Sequence, residues 1–251
     1  MKEILVLCYH AVSASWHVPT AVRLEDFEQQ LVDLVGRGYH GMTFSAALTA
    51  PVSERVLAVT FDDAHRSVLE LAAPLMAPLG VPGTVFVPTG YAGTERLMAW
   101  DGYDVWLGTE HEAELRCLGW EELQGLVAQG WEVGSHTRSH PRLPELGDAE
   151  IAAELTESRR ECEARLGAPC RSIAYPYGEY DDRVLRMARE AGYSFGASAP
   201  RGANAALPLA WPRVGVYRGE GARRLRLRAR SRRLQTATTM RVALGLRRLS
   251  R

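Results

Sequence analysis

A chain of 251 residues, 46% apolar and 24% charged, has the make-up of a soluble globular protein and the length for one large α/β domain or two small ones. No apolar stretch approaches the roughly 20 residues of a membrane span, and the four cysteines (Cys8, Cys117, Cys162, Cys170) show no Cys-x-x-Cys spacing, which argues against a disulfide framework or a thiolate zinc site. The formal net charge of zero hides an asymmetry: twelve arginines and one acid, Glu220, fall between Arg218 and Arg251, so an acidic body carries a basic tail.

In chain order, residues 4–8 form a short apolar strand, too brief for the apolar region of a secretory signal. Residues 24–36 follow as a helix with Phe27, Leu31, Leu34 and Val35 on one face. Residues 56–61 are a buried strand, and 67–73 a helix ending near Pro74. Residues 84–87 are a strand, 91–117 a long connection carrying Trp100, Tyr103 and Trp106, 120–128 a helix and 131–134 a strand. Asp148 is expected to cap a long helix to Leu166; 172–175 read as a strand and 182–191 as a helix. Strands alternating with helices predict a parallel sheet with helices outside it, either a barrel or doubly wound.

Two segments carry the chemistry. Thr60-Phe61-Asp62-Asp63 places two carboxylates at the end of a buried strand, where parallel α/β folds collect their functional groups. His136-Thr137-Arg138-Ser139-His140 places two imidazoles at i and i+4, a spacing that converges on one point if the segment makes a helical turn. One carboxylate and two histidines make a three-ligand site for a divalent metal, and the spare carboxylate is free to act as a base. Read singly, an Asp-Asp pair can instead cap a helix, and a histidine can be structural. The absence of a Gly-x-Gly-x-x-Gly after the first strand argues against a dinucleotide enzyme, and basic charge confined to the tail argues against a nucleic-acid partner.

These segments, with Ala174-Tyr175-Pro176-Tyr177-Gly178, resemble the three motifs of the polysaccharide deacetylases, the carbohydrate esterase family 4 or NodB-homology enzymes. The resemblance runs from about Glu3 to Tyr217. It implies an α/β fold, a distorted barrel of about seven βα units, over residues 1–217, with 218–251 as a basic tail. It implies a divalent metal, most often Zn2+ with Co2+, Ni2+ or Fe2+ as alternatives, held by Asp63, His136 and His140. Asp62 becomes the general base, and the backbone N–H of Tyr177 a donor to the oxyanion. The substrate implied is an N-acetylated glycan, and the products acetate and an amino sugar. Relatives with this barrel that hydrolyse cyclic imides and other non-sugar amides, or a catalytically impaired sugar-binding homologue, are the alternatives.

Three departures from the family pattern matter. Ala64 stands where a glycine usually follows the two aspartates. Ala174 stands where an arginine usually steadies the base, and Arg213, in Trp211-Pro212-Arg213-Val214, is the expected substitute. No histidine follows His140, so the usual late catalytic acid is missing. Cys8-Tyr9-His10 resembles the Tyr-His segment of a branch that includes biofilm poly-N-acetylglucosamine deacetylases, which implies His10 as the acid. Tyr177 and Trp211 are expected to form a substrate wall, and Trp100 and Trp106 are further stacking candidates; His17, His40, His65 and His111 are expected to be structural or on the surface, with His65, two residues past Asp63, a candidate to support the metal ligands from behind. The tail is expected either to dock on the acidic body or to touch anionic lipid, with the protein in the cytoplasm or at the inner membrane face.

Overall fold

The structure, a computed structural model, describes residues 3–50, 55–199 and 207–230. Its strands are β1 (Glu3–Tyr9), β2 (Ala11–Val12), β3 (Ala21–Val22), β4 (His40–Gly41), β5 (Arg55–Phe61), β6 (Gly83–Val87), β7 (Glu132–Ser135), β8 (Ser172–Ala174), β9 (Phe195–Ser198), β10 (Trp211–Pro212) and β11 (Val214–Gly215). The helices are α1 (Leu24–Val35), α2 (Phe44–Thr49), α3 (Ala73–Met76), α4 (Trp120–Ala128), α5 (Asp148–Leu166), α6 (Asp182–Glu190) and α7 (222–230).

All sheet pairings are parallel, in the order β10-β9-β8-β7-β6-β5-β1-β11, with β4 beside the start of β5. The two ends of this order are adjacent in sequence. Residues 211–215 behave as one strand broken at Arg213: its first half bonds β9 and its second half bonds β1. That strand nearly closes a barrel of seven positions, as the resemblance implies. β2 and β3 pair separately beside it.

Strand periodicity decides what the barrel encloses. Alternate residues point inward, and the inward set changes character along each strand. Val6, Val56 and Ala58 lie low, in a buried cluster with Phe86, Ala174, Ala197 and Trp211, under Phe44 and Ala47 of α2. In the same phase, one or two steps higher, come Cys8, Thr60 and Asp62. The apolar floor thus gives way to a polar rim at the C-terminal ends of the strands.

Two local expectations are corrected, and the basic segment is seen in part. The helix after β5 does not stop at Pro74. A π-turn (Val68–Ala72), α3 and a 3-10 turn (Ala77–Leu79) follow one another to Gly80, whose φ is 65°. Pro74 and Pro78 each fall in the first two positions of a new piece, where a missing N–H costs little. The cap of α5 is Gly147, whose N–H donates to Glu150 Oε2 at 3.0 Å; Asp148 is the first helical residue and pairs with Arg183 at 3.0 Å. The basic segment is docked as far as it is described. In α7, Leu225 and Ala229 are buried, Arg226 pairs with Asp33 at 2.9 Å and Arg228 with Glu220 at 2.6 Å. The rest of the tail, 231–251, lies outside the described residues. No described helix is long and apolar enough to cross a membrane.

Candidate active site

A cleft of about 510 Å³ opens over the C-terminal rim of the barrel, and Asp62, Asp63, His10, His136, His140, Tyr177 and Arg213 all line it. Residues 60–63, 136–140 and 175–178 sit at the ends of β5, β7 and β8, so the sheet order brings the three motifs together.

Asp63 divides its two oxygens. Oδ2 accepts from the Tyr103 hydroxyl at 3.3 Å and faces His65 Nε2 at 3.7 Å. Oδ1 is buried without a hydrogen-bond partner among the described residues and faces His136 Nε2 at 3.4 Å and His140 Nε2 at 3.5 Å. Two donors each about 2.0–2.1 Å from a tetrahedral cation stand about 3.3 Å apart. The donor set therefore fits a divalent cation, and its ligand atoms lie within 4.8 Å of one another.

The electrostatics agree with that fit. Burial pushes the Asp63 carboxyl up, but contacts with His136, His65 and His140 outweigh it and hold it well below the usual range. Burial brings His140 down to about 3, so its ring is neutral, the form that binds a metal. His136 is raised despite its burial, because Asp62 and Asp63 lie beside it; a proton there occupies the place a cation would take. The His136 Nδ1–H donates to Ala174 O at 2.8 Å, which leaves Nε2 as the free lone pair toward Asp63.

The histidine segment is a loop and not a helical turn, a correction to the expected geometry. Thr137 has φ 66° and His140 φ 62°, both left-handed. Asp63, Ala64 and Tyr177 share this region, with φ 69°, 53° and 57°. Every positive-φ residue other than glycine in the described structure thus lies in one of the three motifs or, for Ala64, directly after one. Such strain costs of order 1 kcal/mol or more per residue and persists where surrounding bonds enforce it. Here Glu154 of α5 does much of the enforcing. It accepts from Arg138 N at 2.8 Å, Ser139 N at 2.9 Å and Ser139 Oγ at 2.5 Å. We expect Glu154→Ala to weaken divalent-metal binding roughly 10–100-fold with little change in secondary structure, as read by metal titration and circular dichroism. Unchanged affinity would mean the loop holds itself.

Asp62 is clamped. Arg213 Nη1 and Nη2 donate to its two oxygens at 2.7 Å each, Nη1 also reaches Thr60 Oγ1 at 3.0 Å, and the Cys8 thiol donates to Oδ2 at 3.4 Å. Burial alone raises this carboxyl, but the guanidinium overrides it and holds it at about 2. Arg213 reaches Asp62 from the break in the closing strand.

Trp211 is not placed where it was expected. Two residues before Arg213 in the same strand, it points one layer down into the closed barrel interior and is 8% exposed. The aromatic wall of the cleft comes from the 91–117 connection instead. Trp100 stacks on the His140 ring at 3.9 Å between centroids and 17° between planes, with Tyr103 and Trp106 beyond it. Tyr177 faces His140 edge-on at 4.8 Å and carries the Arg142 guanidinium over its ring at 3.9 Å. Its backbone N–H makes none of the turn bonds that those of Gly178 and Glu179 make. Gly178 is obligatory for this turn: a Cβ there would lie 2.1 Å from that of Ala199. His65, expected to be structural, is fully buried between Glu114 O and the Tyr103 hydroxyl, and so supports Asp63 indirectly.

Residues 49–196 match the sequence profile of the polysaccharide deacetylases. The chain is 26% identical over 208 residues, 80% of its length, to YxkH of Bacillus subtilis (strain 168), whose name assigns it to the polysaccharide deacetylases. It is 25% identical over 154 residues, 58% of its length, to a poly-beta-1,6-N-acetyl-D-glucosamine N-deacetylase of Staphylococcus aureus (strain MSSA476). These matches span 66% and 48% of the two relatives' own lengths. Among solved structures, the fold is similar to Streptococcus pyogenes deacetylase PplD in complex with acetate, at a TM-score of 0.71 and 20% identity, covering 90% of this chain and 96% of that one.

Proposed function

The chain belongs to the polysaccharide deacetylase family, and from that premise we propose that it is a metal-dependent hydrolase that removes N-acetyl groups from an N-acetylated amino sugar of an oligo- or polysaccharide, releasing acetate. The observation that carries this reading is the pairing of two unlike carboxylates: Asp63, with a bare oxygen facing two imidazole nitrogens, and Asp62, clamped beside it on the cleft floor.

A divalent cation held by Asp63, His136 and His140 would supply Lewis-acid chemistry, polarising the acyl oxygen and acidifying water. Zn2+ suits one carboxylate and two imidazoles, and Co2+, Ni2+ and Fe2+ suit them nearly as well. In this reading Asp62 takes the proton from the attacking water. With a carboxyl at about 2 it is fully ionised at neutral pH, and the Arg213 fork fixes its plane. The Tyr177 N–H donates to the oxygen that gains charge at the acyl carbon. His10 gives a proton to the leaving amine. It follows β1, one step along the rim from Cys8, and its Nδ1 is buried without a partner among the described residues. Burial pushes its pKa down against the pull of Asp63 and Asp62, which makes its protonated ring a ready donor. Trp100 and Tyr177 offer flat faces for a sugar ring.

The reading is tested by offering the protein N-acetylglucosamine oligomers, N-acetylated monosaccharides and cyclic imides in parallel. Acetate release from the oligomers alone supports it; turnover of cyclic imides alone replaces it with a different amidohydrolase activity.

The tail belongs to the same proposal. α7 turns Arg223, Arg224, Leu227 and Arg230 outward while its other face is docked, and the sequence from 231 to 251 adds six arginines, including the pairs Arg232-Arg233 and Arg247-Arg248. Such a surface suits anionic lipid, at about 1 kcal/mol per arginine near the membrane. We expect the protein to co-sediment with vesicles containing phosphatidylglycerol at low salt and to lose that binding when residues 231–251 are deleted. Binding unchanged by the deletion counts against the lipid contact.

A further inference from the structure

Cys8 has no part in the hydrolysis described above, yet its thiol lies in the cleft against the base. β1 and β5 run in register with Cys8 opposite Thr60. Continuing that register puts residue 10 opposite residue 62, so Cys8, His10 and Asp62 meet on the rim. The Cys8 Sγ lies 3.4 Å from Asp62 Oδ2, and donor atoms of all three residues fall within 4.8 Å of one another. A sulfur about 2.3 Å and a carboxylate oxygen about 2.0 Å from one tetrahedral zinc stand about 3.5 Å apart. The observed separation is thus that of two ligands on one cation. His10 adds an imidazole nitrogen to this group, and its Nδ1 is buried and unbonded among the described residues. None of the three belongs to the Asp63–His136–His140 set.

We propose that Cys8, His10 and Asp62 form a second, weaker site for a thiophilic divalent cation such as Zn2+ or Cd2+, and that filling it withdraws Asp62 from catalysis. The second half rests on the reading of Asp62 as base; the first half does not. Each carboxylate oxygen has two lone pairs. Arg213 uses one on each oxygen, and the Cys8 thiol rests on a remaining one of Oδ2. The cation would take the place of the thiol proton, which leaves through the open cleft to solvent, so binding forms a metal–sulfur bond and releases one proton. Burial keeps that proton on Cys8 at rest. Only a cation that bonds sulfur strongly displaces it, which selects Zn2+ and Cd2+ over Mg2+ and Ca2+. Arg213 and a cation at the first site both repel a second cation, so this site fills after the first. The consequence is inhibition by excess of a metal that supports activity at one equivalent.

The test uses the full chain, stripped of metal and titrated with CdCl2 while bound cadmium and the ultraviolet thiolate-to-cadmium charge-transfer band are recorded. We expect two equivalents to bind, the second at least tenfold more weakly, with the band growing in with the second. Cys8→Ala should lose the band and the second equivalent together. Asp63→Asn, which disables the first site, should keep the band and bind one equivalent fewer. A wild type without the band overturns the proposal, as does a band of full height in Cys8→Ala, which would place it on another cysteine. These readings need no substrate, so they stand whether or not the protein releases acetate; inhibition of acetate release by excess Zn2+ in the wild type is read separately.

Discussion

Asp62→Asn is expected to retain its divalent metal and to lose 10²- to 10⁴-fold in kcat, the usual worth of a positioned general base. That is about 3–5 kcal/mol of barrier. The substitution keeps the side chain's shape and leaves Asp63, His136 and His140 untouched, so metal content measured on the purified variant should match the wild type. It removes the proton acceptor. It also sets an amide N–H₂ against one of the donors that converge on this side chain, the two guanidinium nitrogens and the Cys8 thiol, which costs further alignment. Turnover within tenfold of wild type would take the role of base away from Asp62.

Arg213→Met is expected to lower both stability and activity, with a pH signature that separates it from a packing defect. Arg213 is 3% exposed and bonds Asp62 at 2.7 Å through both terminal nitrogens. Removing one partner of a buried pair typically costs 3–5 kcal/mol, because the other charge is left desolvated. For a chain of this size that is on the order of 10 °C in Tm. The sign with pH follows from the direction of the shift. Asp62 has its carboxyl depressed from 3.8 to about 2 in the folded protein. Its contribution to stability is therefore fully present above about pH 4 and is lost as the pH falls toward about 2. The stability gap between wild type and variant should be widest near neutrality and should narrow through that window. In the variant only His136 and His10 still oppose burial and the carboxyl rises, so the acid limb of kcat/KM should move to higher pH. A gap that does not change with pH would assign Arg213 to packing alone.

How much of this was legible in the sequence depended on how local each cause is. Strands such as β1, β5 and β6 announced themselves as short apolar runs, because parallel strands buried on both faces need apolar side chains throughout. The two motifs rich in Asp and His were legible because so many metal-binding groups rarely collect by chance in so few residues. β10 and β11 were not legible: each has two residues, and they exist because the barrel's two open edges reach the same stretch of chain. Spacing misled at His136–His140, where i, i+4 suggested a helix but left-handed backbone at Thr137 and His140 brings the rings together. Trp211 misled for the opposite reason. It shares a strand face with Arg213, but the rise of two residues along the strand puts it one layer lower, inside the barrel. Tyr103 and Glu154, which hold Asp63 and the histidine loop, come from the long connection and from the middle of α5. Only the folded chain brings a tyrosine hydroxyl 40 residues away in sequence to Asp63 Oδ2.

Deacetylation by this chain, as proposed, depends on a metal held by the Asp63–His136–His140 cluster. Its most direct test is acetate released from N-acetylglucosamine oligomers by protein stripped with a chelator and then reloaded with one equivalent of Zn2+, Co2+ or Ni2+. The expected outcome is no release above background from the stripped protein, restored release with at least one of these metals, and no restoration in Asp63→Asn. Release by the fully stripped protein, or full restoration in Asp63→Asn, would contradict it.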